Sequence, residues 1–161
     1  MEMNKIVNFI NIEVSNYFDK IIKIVKTKFN KDVDITFGFE TKHKFQPISG
    51  CISFMVPDYY GEDLEGVILD FVTQYTPLSL NPVITSDFTK KEILYVSCDV
   101  DNVQNEDFYR ELILKDNDNL QQDVEAMLIE LEAFIMSKAD LIVYIINDLY
   151  PLPLVKNSDE A

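Results

Sequence analysis

Between Asn119 and Leu149, apolar residues return at spacings of three, four and seven: Leu120, Val124, Met127, Leu128, Leu131, Phe134, Ile135, Ile142, Ile145 and Leu149. Such spacing gathers them on one side of a helix. Gln122, Glu125, Glu130 and Glu132 fall on the other side. Asp118 or Asn119 supplies a cap and Pro151 a stop, so the spacing predicts one unbroken helix about 45 Å long at about 1.5 Å per residue. A stripe of that length has to be covered, and covering it is the main demand on the rest of the chain. The expected cover is a small β-sheet, backed by a second long helix from the other end of the sequence.

That demand sets the fold class. A chain of 161 residues, 47% of them hydrophobic and 12% aromatic, can bury a real core and is short for more than one domain. The expectation is one α+β domain over residues 1–155, with residues 156–161 as a disordered tail. It comprises an antiparallel sheet of about four to five strands packed with long N- and C-terminal helices and a shorter central helix.

In chain order, Asn4–Phe29 reads as the first helix. Val7, Ile10, Val14, Tyr17, Phe18, Ile21, Ile24 and Val25 form its apolar stripe, with Lys5, Lys20, Lys23 and Lys26 opposite. Val33, Ile35, Phe37 and Phe39 alternate with polar residues and glycine, and Ile52, Phe54 and Val56 repeat the pattern after Gln46-Pro47-Ile48-Ser49-Gly50. This pair predicts a hairpin. Asp63–Tyr75 is expected to be the central helix, because Leu64, Val67, Ile68, Phe71, Val72 and Tyr75 match the helical template; Gly66 counts against it. Val83–Phe88 and Glu92–Asp99 read as a second hairpin around Thr89-Lys90-Lys91. Ile93, Leu94, Tyr95 and Val96 give its second strand two apolar faces, as in a central strand covered on both sides. Glu106–Lys115 fits either a short helix or an edge strand. Leu141–Ile146 is apolar around a whole helix circumference, so Ile142, Tyr144 and Ile146 are expected to be wholly enclosed or to form a homodimer contact; six consecutive β-formers also fit a strand.

Charge narrows the partners. Residues 1–48 carry eight lysines against six acids, a net of +2, while residues 49–161 carry six basic residues against twenty-two acids, a net of −16. Such a field repels nucleic-acid phosphates and anionic membrane lipid, and it speeds association with basic proteins. Two acidic segments stand out. Asp58-Tyr59-Tyr60-Gly61-Glu62-Asp63 combines tyrosines with carboxylates, and Asp99, Asp101, Glu106 and Asp107 follow a strand. Tyrosine beside acid suits a Lys- or Arg-rich protein surface. Asp58, Tyr59, Tyr60, Glu62, Asp63, Asp99, Asp101, Glu106 and Asp107 are therefore the candidate partner-binding residues.

Catalytic and cofactor signals are weak. His43 is the only histidine and sits among Thr41, Lys42 and Lys44; Cys51 and Cys98 lie singly within apolar, strand-like runs, as unpaired thiols do. Neither zinc spacings nor EF-type calcium loops occur, and the four glycines form no phosphate-cradling motif. No metal or cofactor is expected, and no enzymatic activity. The N-terminus lacks the apolar core of a signal peptide and no apolar run approaches the ~20 residues of a membrane span, so a cytoplasmic protein is expected.

An N-terminal amphipathic helix, the strands Val33–Phe39 and Cys51–Val56, a helix at Asp63–Tyr75, and the Ile93–Val100 strand leading into Asn119–Leu149 together resemble the fold of class I type III secretion chaperones and their bacterial relatives. The resemblance covers most of the chain and has no diagnostic motif, so it transfers no site residue. It implies a dimer whose apolar patches hold an extended segment of one protein partner. The reading is a chaperone-like adaptor for one protein partner; the alternative, which shares its size, acidity and lack of catalytic signals, is an immunity protein that neutralises a basic toxin such as a nuclease. A third class is a small-ligand-binding domain.

Overall fold

A computed structural model describes residues 3–41, 44–57, 60–76 and 92–149. Along them run α1 (Met3–Lys26), β1 (Asp34–Glu40), β2 (Ser49–Pro57), β3 (Asp63–Thr76), β4 (Ile93–Val100), β5 (Asp107–Ile113), α2 (Leu120–Met136) and α3 (Ala139–Leu149). The five strands form one sheet in the order β1-β2-β3-β4-β5, each antiparallel to its neighbour. α1 packs against α2, α3 and β1, α2 also against β5, and α3 also against β2. The α+β class and the antiparallel sheet agree with the sequence reading; the arrangement of helices differs from it.

The differences have physical causes. Asp63–Thr76 is the longest strand, not a central helix. Its pairing with β2 slips at Ile52/Ser53, where Leu69 faces Ile52 but Val67 faces Ser53, leaving Ile68 as an extra residue in a bulge. Below the bulge Leu69 and Phe71 point to the core and above it Leu64 does, so two strand phases joined by one inserted residue imitate a helical repeat. The expected C-terminal helix is broken into α2 and α3 at Ser137 and Lys138. Ser137 N–H donates to Ala133 O at 3.0 Å, and its hydroxyl donates to Phe134 O at 2.6 Å. The apolar stripe stays in phase across the break, from Ile135 to Ile142. Glu106–Lys115 contains the edge strand β5, and Leu141–Ile146 is helical. Val83–Phe88 and residues 156–161 lie outside the described residues.

The core lies between the helices and one face of the sheet. Ile6, Ile10, Val14, Phe18, Ile21 and Val25 of α1 are almost fully buried. Phe18 meets Phe39 at 5.2 Å between ring centroids and Phe37 at 6.1 Å, and Phe39 meets Phe71 at 6.3 Å. Full burial of Phe18 and of Phe71 stabilises the fold by about 1.5–3 kcal/mol each. Gly50 makes room for this cluster, since a Cβ there would sit 2.2 Å from the Phe39 ring. Thr73 is buried among these side chains, and its hydroxyl accepts from Ile48 N–H at 3.0 Å. Arg110 occupies a helix-facing position on the edge strand. Its guanidinium lies 4.6 Å from the Phe108 ring centroid and its Nε donates to Glu130 at 2.7 Å, so the charge stays solvated while the stem covers the core.

Candidate partner-binding face

Strand alternation sends every second side chain away from the helices, and no described element covers that second face. The sheet register sorts its residues into rows. Cys51 faces Asp70, Asp70 faces Asp99 and Asp99 faces Asp107, which places three carboxylates on three adjacent strands in a single line. The next row runs Ser49, Val72, Ser97 and Tyr109, and the one beyond it Gln74, Tyr95 and Glu111. Toward the β1 edge, Asp34 faces Met55 and Met55 faces Glu65. Among the described strand residues, this open face carries no lysine or arginine.

Two shallow depressions of about 250 Å³ each mark the face. One is lined by Asp70, Val72, Ser97, Asp99, Asp107 and Tyr109, the other by Asp34, Thr36, Ser53, Met55 and Glu65. Beside the first, the rings of Tyr95 and Tyr109 stack at 6.0 Å and 28°. Tyr109 donates to Glu111 at 3.0 Å, and partial burial followed by that bond pushes its phenol up to about 12.

Electrostatics follow from the register. Desolvation, then the charges of Asp99 and Asp101, push the Asp70 carboxyl above the usual carboxylate range. Asp99 is raised by desolvation and by Asp101 and Asp107, against a backbone hydrogen bond that lowers it. The row therefore holds repulsion that a cationic group laid across it would relieve. Arginine fits the chemistry best: its planar fork matches carboxylates, and its face stacks on tyrosine.

The nine residues expected to bind a partner are distributed around this face. Asp99 and Asp107 lie in the carboxylate row itself. Asp63 opens β3 on the same face, and Tyr60 and Glu62 are exposed at the β2–β3 turn, with Tyr60 90% exposed. Asp101 is half-buried in the β4–β5 turn, where Asn102 Nδ2 donates to it at 3.1 Å. Glu106 faces the other way, into an ion pair with Lys138 at the α2–α3 junction. Asp58 and Tyr59 lie outside the described residues. Antiparallel connection puts the β2–β3 and β4–β5 turns at the same end of the sheet, so the two acidic segments are brought together by topology.

Asp70, Glu65, Asp34 and Glu111 were not among the expected residues, nor was the Tyr95–Tyr109 pair. Asp70 was hidden by the helical reading of β3; as a strand with one bulge, that segment turns Asp70 outward beside Asp99. Of the residues expected to be enclosed or in a dimer contact, Ile142 and Ile146 are enclosed in this chain's own core, at 1% and 0% exposure, while Tyr144 is exposed.

Cys51 and Cys98 are both free. Burial, then Asp99 and Asp70, raise the Cys98 thiol well above its ordinary value, and desolvation followed by Asp70 raises Cys51. His43 lies outside the described residues. No group of His, Cys, Asp and Glu among the described residues is placed to hold a metal ion, and no described helix is long and apolar enough to cross a membrane. No known protein family, curated protein or solved structure matches the chain.

Proposed function

We propose that this protein is a non-enzymatic binding module that takes one basic protein partner on the open face of its sheet. The observation that carries the reading is the face itself: Asp70, Asp99 and Asp107 in line across three strands, Asp34, Glu65 and Glu111 around them, and no cation among its described strand residues. Carboxylates so arranged attract a basic surface from a distance, and the stacked tyrosines give its arginines a flat contact. Burial and neighbouring carboxylates raise both thiols, which disfavours the thiolate that a nucleophilic cysteine needs.

Neutralisation of a basic toxin needs only a broad acidic face that covers the toxin's own charged surface. That role fits the open face better than a chaperone role does. An apolar groove at the end of the sheet, lined by Leu64, Val103, Ile145 and Leu149, favours the chaperone-like adaptor as a second reading.

The test is to isolate the partner by affinity capture, identify it, and measure its association and dissociation rates at low and physiological salt. The expected partner is basic. Association should slow markedly with salt while dissociation changes less, and a triple variant Asp70→Asn, Asp99→Asn, Asp107→Asn should slow it in the same way without unfolding. An acidic partner, or binding indifferent to salt and to these substitutions, would overturn the reading.

A further inference from the structure

β3 outruns β4. Pairing between them begins at Leu69 and Val100, and Asp101 N–H closes it by donating to Ile68 O at 2.9 Å. No described strand pairs with residues 63–67 on that side, although β2 pairs with them on the other. The β2–β3 hairpin therefore projects roughly 20 Å beyond the end of β4, at about 3.3 Å per residue. This edge, paired with no described strand, presents backbone groups of the kind that accept an added strand.

A groove of about 350 Å³ runs beside this edge, walled by Leu64, Val67, Val103, Ile145 and Leu149 and rimmed by Glu65 and Asp101. Its walls are anchored. Gly66 lets the Phe54 ring lie across the strand, since a Cβ there would meet that ring at 2.7 Å. The β4–β5 turn that carries Val103 is shaped by Asn102 and Asn105, both with positive φ, and Val103 N–H donates to Val100 O at 3.2 Å. The Glu106–Lys138 ion pair ties the far end of that turn to the helices.

We propose that this notch receives an extended segment of the partner, added as a strand on the edge of β3 in line with β4, in which large apolar residues alternate with lysine or arginine. The inference rests on the basic-partner reading and specifies how that partner is held. Alternation sends one set of side chains into the apolar groove and the other toward Glu65, Asp101 and the carboxylate row. The charge of the rim selects this occupant. Residues 150–161 of this chain carry Pro151 and Pro153, which lack the amide donor, and more acid than base. A second copy, at a net charge of −14, would bring acid to acid.

The probe is a short synthetic peptide alternating lysine with leucine and valine. Three controls accompany it: serine at the apolar positions, glutamate at the basic positions, and alternate backbone amides methylated. Binding to the full chain is followed by fluorescence anisotropy, and its location by amide exchange and amide chemical shifts. The expected result is protection, by at least about tenfold, of the amides within residues 63–67 that point away from β2, with the serine and N-methyl peptides each binding about tenfold or more weakly and the glutamate peptide not at all. If the peptide perturbs only Val72, Ser97 and Tyr109 and leaves residues 63–67 unprotected, the added strand is overturned and the basic-partner reading stands. If no lysine peptide perturbs any residue, both fall. Protection of those edge-facing amides already present in the free chain overturns the proposal as well, identifying residues 150–161 as the occupant if deleting them removes it, or a second copy if it grows with protein concentration.

Discussion

Asp70 on β3 and Asp99 on β4 face each other directly, on the side of the sheet that no described helix covers. Like charges at directly opposed strand positions destabilise a sheet. Both carboxyls are raised, by desolvation first and by neighbouring acids second.

Replacing either with asparagine should therefore stabilise the fold at neutral pH, by a few tenths of a kcal/mol once solvent screening is allowed for. The sign with pH follows. A raised native value means the native state holds protons that the unfolded chain has released, so stability falls as pH rises from the ordinary carboxylate value of 3.8 into the raised range. Urea denaturation should show the advantage of Asp70→Asn largest at neutral pH and shrinking as the pH drops through that window.

Gly50→Ala should cost on the order of 1–3 kcal/mol, because the new methyl group has to displace the Phe39 ring from its contacts with Phe18 and Phe71. Combining it with Phe39→Leu should cost less than the two single changes added together. Chemical denaturation of the four proteins checks this coupling.

Lys138 and Glu106 form an ion pair with side chains 15% and 34% exposed, and the Lys138 ammonium also lies 4.6 Å from the Phe134 ring centroid. Lys138→Met keeps the stem and leaves the half-buried Glu106 carboxylate without its counter-charge. The expected loss is about 1–2 kcal/mol, and Glu106→Gln in the same background should return part of it. Thermal unfolding would show the drop in Tm.

The phenols of Tyr17 and Tyr75 are pushed up from 10.0 to about 12, mainly by burial and further by Glu13 and Glu92, respectively. Between these values the unfolded chain has ionised and the folded one has not, so stability should fall as pH climbs from 10.0 and level off above about 12. Ultraviolet titration should find these tyrosines late in the native protein and at the ordinary value in denaturant.

How much of this was legible in the sequence depends on the element. The stripe of α1 and the alternation of β1 and β2 are unbroken, and each gave its element directly. β3 was misread because Ile68 is inserted into a strand, and one inserted residue turns a period of two into spacings of three and four. The break between α2 and α3 left no trace because Ile135 and Ile142 stay in phase across it. The acidic character of the site was visible in composition, and Asp99 and Asp107 with it. Its layout was not, since the line through Asp70, Asp99 and Asp107 is a product of pairing register between strands that composition does not encode.

The arrangement of α1 carries a consequence for biosynthesis. In the sheet every strand pairs with its neighbour in sequence, so the strands can find partners in the order in which they leave the ribosome. α1 emerges before all of them, yet it packs on α2 and α3, which are translated last. Until then the apolar stripe from Ile6 to Val25 has only part of its cover, a window in which the nascent chain is open to aggregation and to capture by cellular folding factors. Lys20 and Glu132, 3.2 Å apart in the finished fold, mark the contact with which α2 begins to close that window.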